Sequence, residues 1–311
     1  MNSRDGSQAR SGRSRVRRFL QKPWREKAGS IFFRWVHVFP GIPIPVRLPF
    51  GVWWLARNDF VGAALFHGGF EKTECSFVER FLRTGMTVLD IGAHHGFYTL
   101  LASQKVGPQG RVIAVEASPR ERERLHLHSR INGCKNVRIE SCALGEAEGT
   151  AELYLVHGTE TGCNSLRRPE VSQPTEVISV RVERLDRVLQ ERHIEQVDFI
   201  KMDVEGAELS VLKGARELLH RRPRPVILAE VQDVRTKPWG YPAREIIQYL
   251  SDAEFRWFRP LPNGGVEELD TGQREYEGNF VAIPAEQIVA LEGMIAGGNE
   301  SMRVSNAREL R

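Results

Sequence analysis

Thr87-Val-Leu-Asp-Ile-Gly-Ala-His-His-Gly-Phe-Tyr-Thr-Leu100 is the stretch on which the fold turns. An apolar run through Val88 and Leu89 reaches an acid, Asp90, and a glycine-rich turn from Gly92 to Gly96 follows. Apolar residues then recur at helical spacing at Phe97, Leu100 and Leu101. This order predicts a buried strand, a tight turn and a helix. Such a turn lets a ligand reach backbone N–H groups at a helix N-terminus. A dinucleotide fingerprint would have G-x-G-x-x-G after the strand. Here Gly92-Ala-His-His-Gly96 gives acid-x-Gly-x-x-x-Gly instead.

Outward from this turn, strands and helices alternate. Strands are predicted at Thr87–Ile91, Arg111–Glu116, Val137–Ala143, Val197–Asp203, Val226–Val231, Phe255–Arg259 and Asn279–Ile283. Helices are predicted near 71–84 and at Phe97–Val106, Pro119–Asn132, Ala207–His220 and Ala243–Ala253. Apolar, β-rich runs separated by amphipathic helices predict an α/β fold, with a mostly parallel seven-stranded sheet and helices on both faces. Ala151–Val156 and Glu176–Val182 alternate apolar and polar residues, as an inserted pair of half-exposed strands would. The polar loop 157–175 between them is long enough to suggest a functional role, and with residues 31–60 it is expected to shape an acceptor pocket. The expected organisation is a basic disordered tail over 1–27, a small N-terminal extension or cap over 28–70, the main domain over 71–290 and a polar tail over 291–311.

The chain has 311 residues, 41% of them hydrophobic, enough for a sizeable core. Its pI near 9.0 suggests an acidic partner. Residues 1–27, however, carry a net charge of +7, and the remainder sums to −3 within a total of +4. Phosphate tracking needs a basic groove, so no stable nucleic-acid partner is expected. Cys75, Cys134, Cys142 and Cys163 lack zinc-motif spacing and read as reduced thiols. No metal ligands are assigned. No run reaches the roughly 20 apolar residues of a membrane span, and no cleavable leader is legible, so a cytoplasmic location is expected.

Several acids fall at strand ends, where open α/β sheets bind ligands. Asp90 and Glu116 lie 26 residues apart, as one β-α-β step would place them, and Asp90 reads as a cofactor-binding acid that accepts from an ammonium group, in preference to one that only orders the loop. Glu116 reads as a partner for ribose hydroxyls, or else as a hydrogen-bond partner for the helix starting at Pro119. Asp203, Glu205 and Glu208 crowd the end of another strand, and mutual repulsion at a shielded site raises carboxyl pKa values and makes a base. Glu205 and Glu208 read equally well as acids favoured at a helix start. Glu230 ends a further strand on the same rim, with substrate-facing and structural readings equally open. Of His94 and His95, one facing the substrate is an option, but facing solvent is the favoured reading. Glu71 is a candidate cover for a bound cofactor. Lys201 is expected to pair with an acid.

The turn, Glu116, Ile200-Lys-Met-Asp-Val-Glu-Gly-Ala-Glu-Leu209, Gly278-Asn-Phe-Val-Ala-Ile-Pro284, Gly68-Gly-Phe-Glu71 and Leu144-Gly145 together resemble the FkbM-type family of S-adenosylmethionine-dependent methyltransferases, over about residues 65–285. The resemblance implies a Rossmann-like doubly wound sheet with an antiparallel last strand and S-adenosyl-L-methionine as cofactor. It implies that Gly92, Ala93, His94 and Gly96 face the methionine part, and that Glu116 with Ala117 holds the ribose. Cys142, Ala143 and Leu144 would then flank the adenine, and Asp203 would lie beside the transferable methyl. Asp203, Glu205, Glu230 and His94 are the candidate bases for O-methylation of a small hydroxylated molecule, a sugar or a polyketide-like metabolite. The alternatives are an NAD- or nucleotide-sugar-dependent enzyme on a similar sheet, and a module that binds nucleic acid or anionic membrane through the basic tail.

Overall fold

A computed structural model describes residues 32, 34, 35, 38, 39, 42–67 and 69–296. The tail expected over 1–27 therefore lies outside the described residues. The described chain forms two compact units: residues up to Arg47 with Trp54–Phe70, and Leu48–Trp53 with Glu71 onward.

In the first unit, β1 (Ile44–Arg47) and β2 (Trp53–Ala56) form a two-stranded sheet. Helix α1 (Phe60–His67) follows Asp59, whose Oδ1 accepts the Gly62 N–H at 2.8 Å and so satisfies a donor of the first turn. Phe32 stacks on Phe66 at 4.2 Å between ring centroids.

The second unit begins with α2 (Lys72–Phe81), where Phe77 and Phe81, one turn apart, stack at 5.8 Å. Then come β3 (Thr87–Ile91), α3 (Phe97–Val106), β4 (Arg111–Val115), α4 (Pro119–Ile131) and β5 (Val137–Glu140). Helix α4 starts where its sequence dictates. Pro119 occupies the first turn, and the Ser118 hydroxyl accepts the Glu121 N–H. A satellite sheet of β6 (Ala143–Leu144), β7 (Gly149–Val156) and β8 (Thr175–Glu183) is inserted next, in the order β6-β8-β7. The chain continues through α5 (Leu185–Glu191), β9 (Phe199–Met202), α6 (Glu208–Lys213), α7 (Arg216–His220), β10 (Val226–Gln232) and α8 (Asp233–Thr236). It ends with α9 (Arg244–Asp252), β11 (Phe255–Pro260), β12 (Val266–Glu268) and β13 (Glu277–Pro284).

The main sheet has eight strands in the order β12-β11-β13-β10-β9-β3-β4-β5. Strands β5, β4, β3, β9 and β10 run parallel, and β13 is antiparallel to β10. The seven expected strands are all present, with the last one reversed. The eighth, β12, is a three-residue edge strand with one buried side chain, too short to register as a hydrophobic run. Of the parallel strands, β3, β4, β9 and β10 are buried on both faces, so they read as largely apolar runs.

Three departures from expectation go beyond a residue or two at an element's end. The third strand stops at Glu140, and Ala143–Leu144 leaves the main sheet to pair with β8. The helix predicted over Ala207–His220 divides into α6 and α7 at Gly214, where a Cβ would meet the Gly145 carbonyl oxygen at 2.1 Å. Helix α5, carried by buried Leu185, Val188 and Leu189, was not expected. Of the expected C-terminal tail, residues 291–296 are held in place. Arg80 donates to the Gly293 carbonyl at 2.7 Å, and Ile295 bridges to Val266.

Away from the cleft, buried Arg224 donates to Glu286 through Nε at 3.0 Å and Nη2 at 2.6 Å. These bonds hold the Glu286 carboxyl at about 2, below its ordinary 4.5. A depressed carboxyl pKa stabilises the fold above pH 4.5, and the contribution fades as pH falls toward 2. Glu286→Gln is expected to cost about 1–2 kcal/mol at pH 7, discounted for the carboxylate's partial exposure. Urea unfolding checks this, and the difference from wild type should shrink between pH 4.5 and 3.

Candidate functional site

The carboxyl ends of β3, β4, β9 and β10 share one rim, because these strands are parallel. A cleft opens at this rim, with about 600 Å³ of space between its walls that includes open solvent. Its walls come from the turn after β3, the ends of β4 and β9, the Cys142–Leu144 segment and the loop between β7 and β8.

The turn is built around a close backbone approach. The N–H groups of Gly92 and Ala93 both donate to the Val115 carbonyl at 3.0 Å. Gly92 has φ 79°, and a Cβ there would lie 1.8 Å from the Asp203 carbonyl oxygen. Only glycine fits this point between β3 and β9. His94 is left-handed as well, at φ 49°, which turns its N–H onto Glu116 Oε2 at 2.7 Å. Glu116 Oε1 accepts the Ser118 N–H at 2.7 Å. One carboxylate thus ties the first turn to the residue that caps the helix at Pro119, as the hydrogen-bonding reading of its sequence has it, and also lines the cleft. Burial raises its pKa to about 7 despite these two bonds.

Asp90 lies beneath the turn rather than on the cleft wall. It is 2% exposed and accepts the Thr99 hydroxyl at 2.5 Å, which fastens β3 to the start of α3. Burial lifts its pKa to about 6. Ala93 is also buried off the wall, and Gly96 caps α3 at φ 91°. Gly92, His94, Glu116, Ala117, Cys142, Ala143, Leu144, Asp203 and Glu205 line the cleft. All four cysteines are free thiols, and burial pushes that of Cys142 up to about 11.

The solvent-facing reading of the two histidines is corrected. The His95 side chain is wholly buried with Nε2 2.5 Å from Glu121 Oε2, and that of His94 is 22% exposed. The two rings stack at 3.6 Å. Burial, then the neighbouring His95, keeps the His94 pKa well below its ordinary value. His94 Nε2 lies 3.1 Å from the Thr161 hydroxyl, so the β7–β8 loop closes over this ring. Within that loop, Gly162, Asn164, Ser165 and Leu166 line the cleft. Asn164 donates to Glu121 at 3.2 Å, and the Ser165 hydroxyl donates to the Glu205 carbonyl at 2.9 Å.

A charged cluster occupies the rim beyond the turn. Lys201, 2% exposed, donates to Asp203 Oδ2 at 3.2 Å and to Asn279 Oδ1 at 3.1 Å, so it pairs with an acid as expected. Burial opposes its charge, but Asp203, Glu71 and Glu230 outweigh burial and raise its pKa. Glu71 is not on the cleft wall. Its Oε2 accepts the Tyr98 hydroxyl at 2.5 Å, and burial raises its pKa to about 6. Glu205 and Glu208 separate clearly. Glu208 accepts the N–H groups of Val204 at 3.0 Å and Gly206 at 3.4 Å, closing its own loop. Glu205 faces the cleft with Oε2 2.9 Å from Arg235 Nε, and burial and then Asp203 raise its pKa to about 8. Glu230 is 9% exposed, and its Oε1 accepts the Gln232 side-chain amide at 2.9 Å. Its pKa is raised well above 4.5, by burial and then by Asp203.

Tyr98 and Asn279 belong to stretches legible in the sequence, yet nothing there assigned them a part. Arg235 and Trp239 carry no spacing signal at all. They reach the site because α8 and the turn after it fold back over the Asp203–Glu208 loop, where the Trp239 indole donates to the Glu205 carbonyl at 3.2 Å.

Strand order, helices on both faces and a cleft at the carboxyl ends of the parallel strands define a Rossmann-like α/β protein. The Methyltransferase FkbM domain family matches residues 90–257, more than half of the chain, and the chain belongs to that family. Among curated relatives, "Methyltransferase 1" of Beauveria bassiana is 26% identical over 147 residues, covering 41% of this chain and 57% of that protein. "Methyltransferase sdnD" of Sordaria araneosa is 28% identical, covering 42% of this chain and 60% of its own. The chain thus spans less than two thirds of the length of either. "2-O-methyltransferase NoeI" of Sinorhizobium fredii is 27% identical over 54% of this chain and 72% of its own. A solved structure of methyltransferase FkbM from Methylobacillus flagellatus aligns at 18% identity and TM-score 0.43, over 68% of this chain and 48% of that one. No helix among the described residues is long and apolar enough to cross a membrane.

Proposed function

We propose that this protein uses S-adenosyl-L-methionine to methylate a hydroxyl of a small molecule, a sugar or polyketide-like metabolite. The observation that carries the reading is the pairing of Glu116 and Asp203 on either side of the Gly92–His94 turn. A two-acid rim around a glycine fits a ligand with ribose hydroxyls at one end and a cation at the other. Membership in a methyltransferase family and the similarity to a protein named as a 2-O-methyltransferase support the donor and the hydroxyl acceptor respectively.

The residues fit the cofactor in kind. Glu116 would accept the ribose hydroxyls, with Ala117 beside it. Cys142, Ala143 and Leu144 offer an apolar wall for the adenine, and Gly92 to Gly96 border the methionine part. Glu71 and Asp90 act from behind, holding Tyr98 and Thr99 in place. When bound, S-adenosylmethionine supplies a methyl group already activated by a positive sulfonium. The protein's tasks are to align the acceptor oxygen with that group and exclude water. Alignment can supply up to about 7–11 kcal/mol of barrier reduction in favourable cases. The acceptor also has to lose its proton as it attacks, and Asp203, Glu205, Glu230 and His94 are the groups at hand.

Ribose hydroxyls donate, so Glu116 serves them best when ionised. With its pKa raised to about 7, cofactor affinity is expected to rise about tenfold between pH 6 and pH 8. Calorimetry across that range checks this, and Glu116→Gln should flatten the profile. The reading itself is tested with cofactor carrying a labelled methyl group and a panel of sugars and hydroxylated polyketides. Label in an ether product is expected; label incorporated only into amines or nucleic acid would overturn the O-methylation.

A further inference from the structure

Three acids meet at the open rim of the cleft, from two different strand ends. One carboxylate oxygen each of Asp203, Glu205 and Glu230 lies within 4.8 Å of the other two. None of the three is an exposed surface acid: their side chains come from a rim that is partly or fully buried. Each has one oxygen already committed. Asp203 Oδ2 takes Lys201, Glu205 Oε2 takes Arg235, and Glu230 Oε1 takes Gln232. The other oxygen of Glu230 is buried and has no hydrogen-bond partner, on a residue only 9% exposed. A buried carboxylate oxygen left unpaired is costly, so it calls for a partner such as a water, a proton or an ion.

Charge points the same way. Two cations, Lys201 and Arg235, face three carboxylates, and Lys201 is shared with Glu71. Glu208, in the same loop, has Oε1 turned to two backbone N–H groups and adds no cation. With all three ionised the cluster is electronegative in a partly desolvated place. A water would fill the space at Glu230 but would leave the repulsion to be relieved by protons on Glu205 or Glu230, which a bound divalent cation displaces.

We infer that Asp203, Glu205 and Glu230 form a binding site for one hard divalent cation, of the magnesium or manganese class. Oxygen-only donors select such ions over zinc or copper. Three protein ligands also leave coordination positions open for an acceptor oxygen and for water. A coordinated hydroxyl is more acidic, so the cation eases loss of the acceptor's proton to a neighbouring carboxylate or to water. The use of the ion in catalysis rests on the methyltransferase reading, whereas its binding does not. In sequence these three acids read as candidate bases on one rim and not as ligands, because Glu205 and Glu230 lie 25 residues apart and the set follows no metal motif.

The test is Mn²⁺ binding to the full-length protein, followed by the loss of the free-ion paramagnetic resonance signal and by calorimetry with Mg²⁺ in competition. S-adenosylmethionine binding is measured on the same samples. One Mn²⁺ per chain is expected, displaced by Mg²⁺. Glu230→Gln and Glu205→Gln should each weaken it by roughly 10–100-fold while cofactor binding persists. Glu176→Gln, on the exposed β7–β8 hairpin, should leave it unchanged. Absence of saturable Mn²⁺ binding by a protein that binds the cofactor overturns the cation site and leaves the proposed function standing. Unaltered Mn²⁺ affinity in both Gln variants overturns the ligand assignment. Mn²⁺ binding that follows the prediction in a protein with no affinity for the cofactor supports the site and removes the methyltransferase reading.

Discussion

Gly92→Ala is expected to abolish cofactor binding and to cost about 2–4 kcal/mol of stability. The new methyl group would sit 1.8 Å from the Asp203 carbonyl oxygen and 2.8 Å from its carbon, and neither is a flexible side chain that can swing away. Asp203 is pinned there because its N–H donates to the Ile91 carbonyl at 3.0 Å, the last bond of the β3–β9 ladder. Relief therefore requires the two central strand ends to part. The residue also sits at φ 79°, which adds about 1–3 kcal/mol of backbone strain for any residue with a Cβ. Parting the strands moves Asp203 away from the turn and Glu116 away from the His94 N–H together. Thermal unfolding and calorimetry on the variant read the two losses separately. Wild-type affinity in a stable Gly92→Ala protein would contradict the close approach.

Glu116→Ala is the second large effect, with an expected 10–150-fold loss in cofactor affinity at pH 8. Hydrogen bonds to a charged acceptor contribute about 1.5–3 kcal/mol. The truncation also leaves the His94 and Ser118 N–H groups without their acceptor, for a further loss of about 1–3 kcal/mol in stability. Glu116→Gln separates the two roles. Its amide oxygen can still accept one of the backbone N–H groups, so stability should largely return while affinity stays low. If both variants bind like wild type, Glu116 is only a brace between the turn and α4.

The elements most legible in sequence are those whose burial is uniform. β3, β4, β9 and β10 are covered on both faces, so they appear as largely apolar runs, interrupted by Asp90, Lys201 and Glu230. Acids at the ends of those runs marked the rim, because a buried strand seldom ends in a charge without a partner. What stayed hidden depended on neighbours distant in sequence. The break at Gly214 exists because Gly145 presses against it. Helix α5 is seven residues long, so its Leu185, Val188 and Leu189 make a single i, i+3, i+4 repeat, too short to stand out. The division of labour between Glu205 and Glu208 hinges on which one turns back to the backbone, and spacing alone leaves that open. The burial of His94 follows from a loop more than 60 residues further along the chain, whose Thr161 reaches its ring.

We propose that the turn after β3 and Glu116 bind S-adenosylmethionine and not a dinucleotide. Calorimetric titration of the purified protein with each, at pH 8, tests it most directly. The account predicts saturable binding of one S-adenosylmethionine per chain and none of NAD. Binding of NAD in preference, or of neither, would contradict it.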